Sequence, residues 1–184
     1  MIDRQTIGEF RDIGRDLFVA GLVTSHGGNM SVRQGSRIVI TRRGSMLGRL
    51  TEDDLVETGI EPCADDERCS RELVVHRAIY EATDALAIVH AHAPHTIARS
   101  FAGFPITPRD SEGLYVLGTV PVVSATQTIA SPEAADVLSQ ALTAAPVAVL
   151  RTHGPFAKGA TLAEAFMHVS VLEASAVILD LLGE

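Results

Sequence analysis

A chain of 184 residues, 46% hydrophobic and 21% charged, has the composition of an ordinary globular domain and the length to bury a substantial core. Its formal net charge of −8 argues against a nucleic-acid-binding surface, which needs clustered Lys and Arg. The opening Met-Ile-Asp-Arg-Gln-Thr has no basic leader followed by an apolar core, so no secretory signal is expected.

Apolar residues at helical spacing (Ile7, Phe10, Leu17, Phe18, Leu22) predict a first helix over 5–22. The run 25–33 then reads as a glycine turn entering a strand. Gln34-Gly35-Ser36 turns it back into 37–41 as a hairpin, and a second small-residue loop follows at 42–45. Thr51 to Leu55 has capping-box spacing for a short helix, and a strand-like piece precedes the polar loop 61–69. That loop carries Cys63 and Cys69. A disulfide is one reading, but without an export signal free thiols in the cytoplasm are expected, and the spacing is wrong for a zinc knuckle.

Ser70 is expected to cap a helix over 71–82 that carries Glu72 in its first turn, with Glu72 and His76 on one face. A strand over 86–92 follows. His90 and His92 are two apart on it and so point the same way. Two imidazoles at a strand end suit a shared cation of the zinc type. His95 lies early in a helix running to about Phe101. The stretch 103–123 is irregular, with short strands expected around Tyr115 and Val122. Ser131-Pro132-Glu133 opens another helix with Pro at its first position. The apolar strand 146–150 runs into Arg151-Thr152-His153-Gly154, a short strand follows at 156–158, and helix 161–182 closes the chain. Glu164, His168 and Glu173 interrupt that apolar helix, which is therefore read as a buried helix, not a membrane span. The alternation predicts one α/β domain over 1–184.

Several elements end in polar residues. His153, before Gly154, is either a third imidazole or a surface histidine in a turn. Glu72 either complements a helix dipole or stands beside a metal. Gly27-Gly28-Asn29, Arg43-Gly44-Ser45 and Ser70 could offer backbone N–H groups and hydroxyls to an anion, though such residues are common in turns.

Five stretches in order resemble the class II aldolase/adducin family and, within it, the small metal-dependent sugar-phosphate aldolases. They are Gly27 to Arg33, Ile40 to Gly44, Ser70-Arg71-Glu72 with His76, His90-Ala91-His92, and His153-Gly154. The resemblance implies a central, mainly antiparallel sheet flanked by helices on both sides, and a homotetramer with active sites at subunit interfaces. It also implies a divalent metal, Zn2+ or else Mn2+ or Co2+, on His90, His92 and His153. Glu72 is the implied acid/base, and a phosphate cradle falls on Gly28, Asn29, Gly44 and Ser70. His76 matches a family histidine that is not a ligand, and His26, His95 and His168 are read as structural. The implied reaction is cleavage of a ketose 1-phosphate to dihydroxyacetone phosphate and an aldehyde through a metal-stabilised enediolate. Relatives on the same scaffold are epimerases, decarboxylases and dehydratases. Adducin-type binding domains lose the ligands that this chain keeps.

The chain departs from the family's pattern in three places. Arg43 and Arg71 stand where Thr and Ser are usual; guanidinium groups suit phosphate, or a carboxylate instead. The segment 105–110 lacks the tyrosine that acts on the aldehyde side from a neighbouring subunit. Tyr115 lies nearby, with a role as that acid or in core or sheet. Since the sequence stops just after the last helix, the C-terminal lid of longer relatives is expected to be missing.

Overall fold

Strand periodicity sorts the core of this chain into two layers. In the computed structural model, which describes residues 2–183, the strands are β1 (Asn29–Gln34), β2 (Arg37–Thr41), β3 (Leu55–Gly59), β4 (Ala87–His90), β5 (Val122–Val123), β6 (Val147–Leu150) and β7 (Gly154–Gly159). They form one sheet in the order β3-β2-β1-β4-β7-β6-β5, antiparallel throughout except for the parallel pair β5 and β6. Along β4, Ala87 and Val89 join the layer covered by α1 (Arg4–Val19) and α6 (Leu162–Leu182). Ile88 joins the opposite layer, with Phe156, α2 (Leu73–Ala82) and α5 (Pro132–Ala141). Each large apolar side chain buried in these layers contributes roughly 1.5–3 kcal/mol. The expected α/β architecture, a mainly antiparallel sheet with helices on both faces, is the one the chain forms.

The helix starts follow from their caps. Asp3 Oδ1 accepts the Thr6 N–H at 2.9 Å, Ser131 Oγ that of Ala134 at 3.0 Å, and Thr161 Oγ1 that of Glu164 at 3.1 Å. Among the described residues, α6 is the one helix long and apolar enough to cross a membrane. Here it lies across the sheet with Leu162, Ala165, Val169 and Leu172 buried. Its buried Glu173 accepts the N–H groups of His95 (2.9 Å) and Thr96 (2.8 Å), at the start of α3 (Pro94–Ser100). A carboxylate there complements the helix dipole and anchors the chain just after His92.

Three local expectations are corrected. The Ser70 N–H is bonded to the Thr41 carbonyl at 3.0 Å, which holds residues 68–70 against the end of β2. Helical backbone therefore begins only at Leu73, and Glu72, not Ser70, occupies the N-cap position. Strand β4 stops at His90, since the His92 N–H is bonded to the Leu22 carbonyl and Pro94 starts α3. Tyr115 lies in neither strand nor core. It is on α4 (Ser111–Val116), which Asp110 nucleates by accepting the Gly113 N–H at 2.7 Å, and it is 92% exposed.

Gly154 is where the β6–β7 turn closes on the end of β4. Its φ is +146°, and a Cβ there would overlap the Ala91 carbonyl oxygen and sit 3.4 Å from the His92 Cα. Gly154→Ala is expected to lower the unfolding free energy by about 2–4 kcal/mol, read from urea denaturation. Wild-type stability would show that this close approach is not required.

Candidate active site

Three imidazoles from two chain segments meet at one end of the sheet. His90, at the end of β4, stacks on its sheet neighbour Phe156 with ring centroids 3.9 Å apart. His92 lies two residues further, and His153 comes from the turn between β6 and β7. The Nε2 of His90 is 3.1 Å from that of His92 and 3.3 Å from that of His153. Two nitrogens at zinc-ligand distance from one tetrahedral ion lie about 3.3 Å apart.

Proton placement supports the same reading. His90 Nδ1 faces the Pro155 carbonyl at 3.0 Å and His153 Nδ1 the Thr128 carbonyl at 2.9 Å. A carbonyl only accepts, so both Nδ1 atoms carry hydrogen and both Nε2 atoms present lone pairs. Lone pairs this close repel unless a cation or a shared proton lies between them. The donor set fits a divalent cation. Burial holds all three histidines neutral: it depresses His92, takes His153 to about 4, and with repulsion from the other two puts His90 well below the usual range.

Glu72 lines the same cavity as this cluster. It is 4% exposed, its Oε1 accepts the Ala130 N–H at 3.2 Å, and its Oε2 is buried without a hydrogen-bond partner. Burial raises its pKa to about 7, against the lowering effect of the Ala130 N–H. An unpaired buried carboxylate is costly, and such groups mark functional sites. Ala130 itself sits at φ 53°, outside the ordinary range for a residue with a Cβ.

Histidines and carboxylate line a cavity of about 310 Å³. The same lining includes Gly28, Asn29, Arg43, Gly44, Ser70 and Arg71. The two loops are joined, because the Arg43 N–H donates to the Arg68 carbonyl at 2.9 Å. At Gly28, φ is +75° and a Cβ would lie 2.8 Å from the His90 carbonyl oxygen, so only glycine brings this turn so near the imidazoles. Arg42 is paired with Asp54 at 2.7 Å, while Arg43 and Arg71 are exposed and make no ion pair among the described residues. With Glu72 the only acid in the lining among the described residues, this part of an acidic protein is electropositive.

Every residue expected to hold metal or anion thus reaches one cavity. Tyr115 does not line the cavity of its own chain. Four lining residues given no role in the site by the sequence reading, His26, Thr41, Arg42 and Ile129, escaped it, as did the buried contact of His76 with Asn29 at 2.6 Å. His26, an exposed residue beside Gly27, offered only proximity to the glycine turn as a signal. Cys63 and Cys69 are free thiols, the second buried, as expected.

The family model described as Class II Aldolase and Adducin N-terminal domain matches residues 9–179. The L-fuculose-1-phosphate aldolase structure from Thermus thermophilus superposes with a TM-score of 0.95 at 38% identity, covering 98% of this chain and 95% of that one. The L-fuculose phosphate aldolase of Methanocaldococcus jannaschii is 31% identical over 172 residues, 91% of this chain and 92% of that protein. A probable bifunctional methylthioribose-1-phosphate isomerase/methylthioribulose-1-phosphate dehydratase of Nocardia farcinica is 38% identical over 88 residues, which is 46% of this chain and only 16% of that protein.

Because the folded Glu72 binds its proton more tightly than an unfolded glutamate, its ionisation destabilises the fold as pH rises from about 4.5 to about 7. Metal-free Glu72→Gln keeps the acceptor for Ala130 but loses that ionisation. It is expected to be more stable than the metal-free parent at pH 8, by on the order of 3 kcal/mol, and nearly equal to it at pH 4.5. Denaturation curves in the presence of a chelator test this. Equal stabilities at pH 8 would mean that the carboxylate is not strained by burial.

Proposed function

The chain belongs to the class II aldolase and adducin family, and on that premise we propose that it is a divalent-metal-dependent aldolase. Its substrate in this reading is a phosphorylated ketose resembling fuculose 1-phosphate, cleaved to dihydroxyacetone phosphate and an aldehyde. The observation that carries the proposal is the convergence of three neutral imidazoles beside a buried carboxylate oxygen that has no partner. His90, His92 and His153 would hold the metal, for which zinc suits the imidazole set and manganese or cobalt are alternatives. Bound there, a divalent ion supplies a Lewis acid that stabilises negative charge on a carbonyl-derived oxygen.

The protein's own groups handle the rest. Glu72 Oε1 is held by the Ala130 N–H, which leaves Oε2 as the atom that takes up and releases a proton beside C3. A pKa of about 7 suits that exchange at neutral pH. Gly28, Asn29, Gly44, Ser70, Arg43 and Arg71 form the phosphate cradle in this reading, and the unpaired guanidinium groups add long-range attraction for a dianion. The assembly is a homotetramer with sites at subunit interfaces. Tyr115, exposed and outside its own cavity, would act on the aldehyde side from a neighbouring copy. We place the protein in the cytoplasm, where Cys63 and Cys69 would stay reduced. The Nocardia farcinica relative favours dehydration of a thiosugar phosphate as the second reading.

Metal analysis followed by a panel of ketose 1-phosphates, pentose 5-phosphates and a methylthio-substituted ketose phosphate separates these readings. Dihydroxyacetone phosphate is the expected product; loss of water without carbon–carbon cleavage would select the dehydratase, and no turnover with any divalent metal would end the enzyme reading. Glu72→Gln is expected to retain one metal per chain and lose about 10²–10⁴-fold in kcat. Unchanged rates would remove Glu72 from the chemistry. Replacing Arg43 and Arg71 together by Ala is expected to raise KM for the phosphorylated substrate about 10–100-fold with a smaller effect on kcat. An unchanged preference for phosphorylated over dephosphorylated substrate would count against their place in the cradle.

A further inference from the structure

Behind the anion side of the cavity lies a row of buried polar groups that the proposed chemistry does not use. Asn29 and Ser31 are two apart on β1, and His76 and Tyr80 are four apart on α2. Two residues of strand rise about 6.8 Å and four of helix about 6 Å, so the two pairs meet in register. Asn29 Oδ1 lies 2.6 Å from His76 Nε2, His76 Nδ1 lies 2.6 Å from Ser31 Oγ, and Ser31 Oγ lies 2.7 Å from Tyr80 Oη. His76 and Ser31 have no exposure at all and Tyr80 has 1%.

Proton counting gives this row one direction. Burial holds His76 neutral, with a pKa of about 3, and pushes the Tyr80 phenol up, so the imidazole has one N–H and the phenol keeps its hydrogen. Neither hydroxyl has another hydrogen-bond partner among the described residues. If Ser31 donated to Tyr80, the phenol hydrogen would be buried without an acceptor, which costs about 1–3 kcal/mol. If Ser31 accepted from both neighbours, its own hydrogen would be stranded in the same way. The arrangement that satisfies every donor runs Tyr80 O–H to Ser31, Ser31 O–H to His76 Nδ1, and His76 Nε2–H to Asn29 Oδ1. The Asn29 amide is then pinned by its oxygen. Its NH2 makes no hydrogen bond among the described residues, and Asn29 lines the cavity.

We infer that Tyr80, Ser31 and His76 are positioning residues: a directed hydrogen-bond relay that fixes the Asn29 amide with its two N–H donors toward the cavity, where they bind the phosphate of the substrate. The assignment of that anion rests on the function proposed above; the direction of the relay does not. Without the His76 N–H the amide can rotate by half a turn and present an acceptor to the anion instead.

Two measurements on the full-length, metal-loaded protein test the inference. Imidazole 15N shifts are expected to show His76 as the neutral Nε2–H tautomer across pH 5–8; the Nδ1–H tautomer would overturn the relay. The second is a double-mutant cycle read by calorimetric titration with inorganic phosphate. His76→Leu should weaken phosphate binding about tenfold while retaining metal stoichiometry, His76→Gln should recover most of the loss, and in an Asn29→Ala background His76→Leu should have no further effect. An equal loss in the Asn29→Ala background, or no recovery with Gln in folded protein, would reduce His76 to a packing role. Should His76→Leu not fold, the tautomer and the Gln variant still decide. Failure of the wild-type protein to bind phosphate would remove the sugar-phosphate reading, while the 15N spectrum would still decide the direction of the relay.

Discussion

Two backbone carbonyls decide what the cavity can do. Those of Pro155 and Thr128 each take an Nδ1 hydrogen, from His90 and His153, and so turn both Nε2 lone pairs inward. Without these contacts the three rings would be free to share hydrogens among themselves, and nothing would define an electron-rich centre. The carbonyl of Pro155 follows the turn that Gly154 closes against Ala91, and that of Thr128 lies in the β5–α5 loop. Sheet pairing, a glycine and an irregular loop therefore all act through one property, the tautomer of an imidazole.

The charge pattern around that centre is divided. The imidazoles are neutral through burial, and burial also raises the Glu72 carboxyl to about 7, so that it is shared between its two protonation states at neutral pH. In the same lining, Arg43 and Arg71 make no ion pair among the described residues, on a chain whose formal net charge is −8. Such a lining would attract an anion toward the guanidinium groups, while burial keeps the imidazoles neutral.

Much of this was legible in the sequence, and most of what was not depends on partners distant in the chain. The hairpin at 29–41, the last helix and the metal-type histidines follow from periodicity and from residues adjacent in the chain. His90 and His92 are placed by spacing alone, although β4 ends between them. Ser70 as a cap was wrong because a distant partner intervened, the Thr41 carbonyl that holds it against the end of β2. Tyr115 in a strand was wrong because of a local cap, the Asp110 side chain that starts a helix three residues before Gly113. His76 read as structural because its meaning depends on Asn29, 47 positions away, and on which atom carries a hydrogen. Local patterns report elements; they do not report hydrogen-bond direction between them.

The β5–α5 loop joins two of these groups within three residues. Its Thr128 carbonyl is bonded to His153, and its Ala130 N–H, at an unfavourable φ of 53°, is bonded to Glu72. A shift of this loop away from the sheet would weaken both bonds together, making His153 a poorer electron donor and Glu72 a weaker acid. The basicity of His153 and the acidity of Glu72 are thus mechanically linked. If, as proposed, the imidazoles hold a metal and Glu72 moves a proton, a lineage altering residues 128–130 could not tune the two properties separately, because both bonds come from the same short piece of backbone.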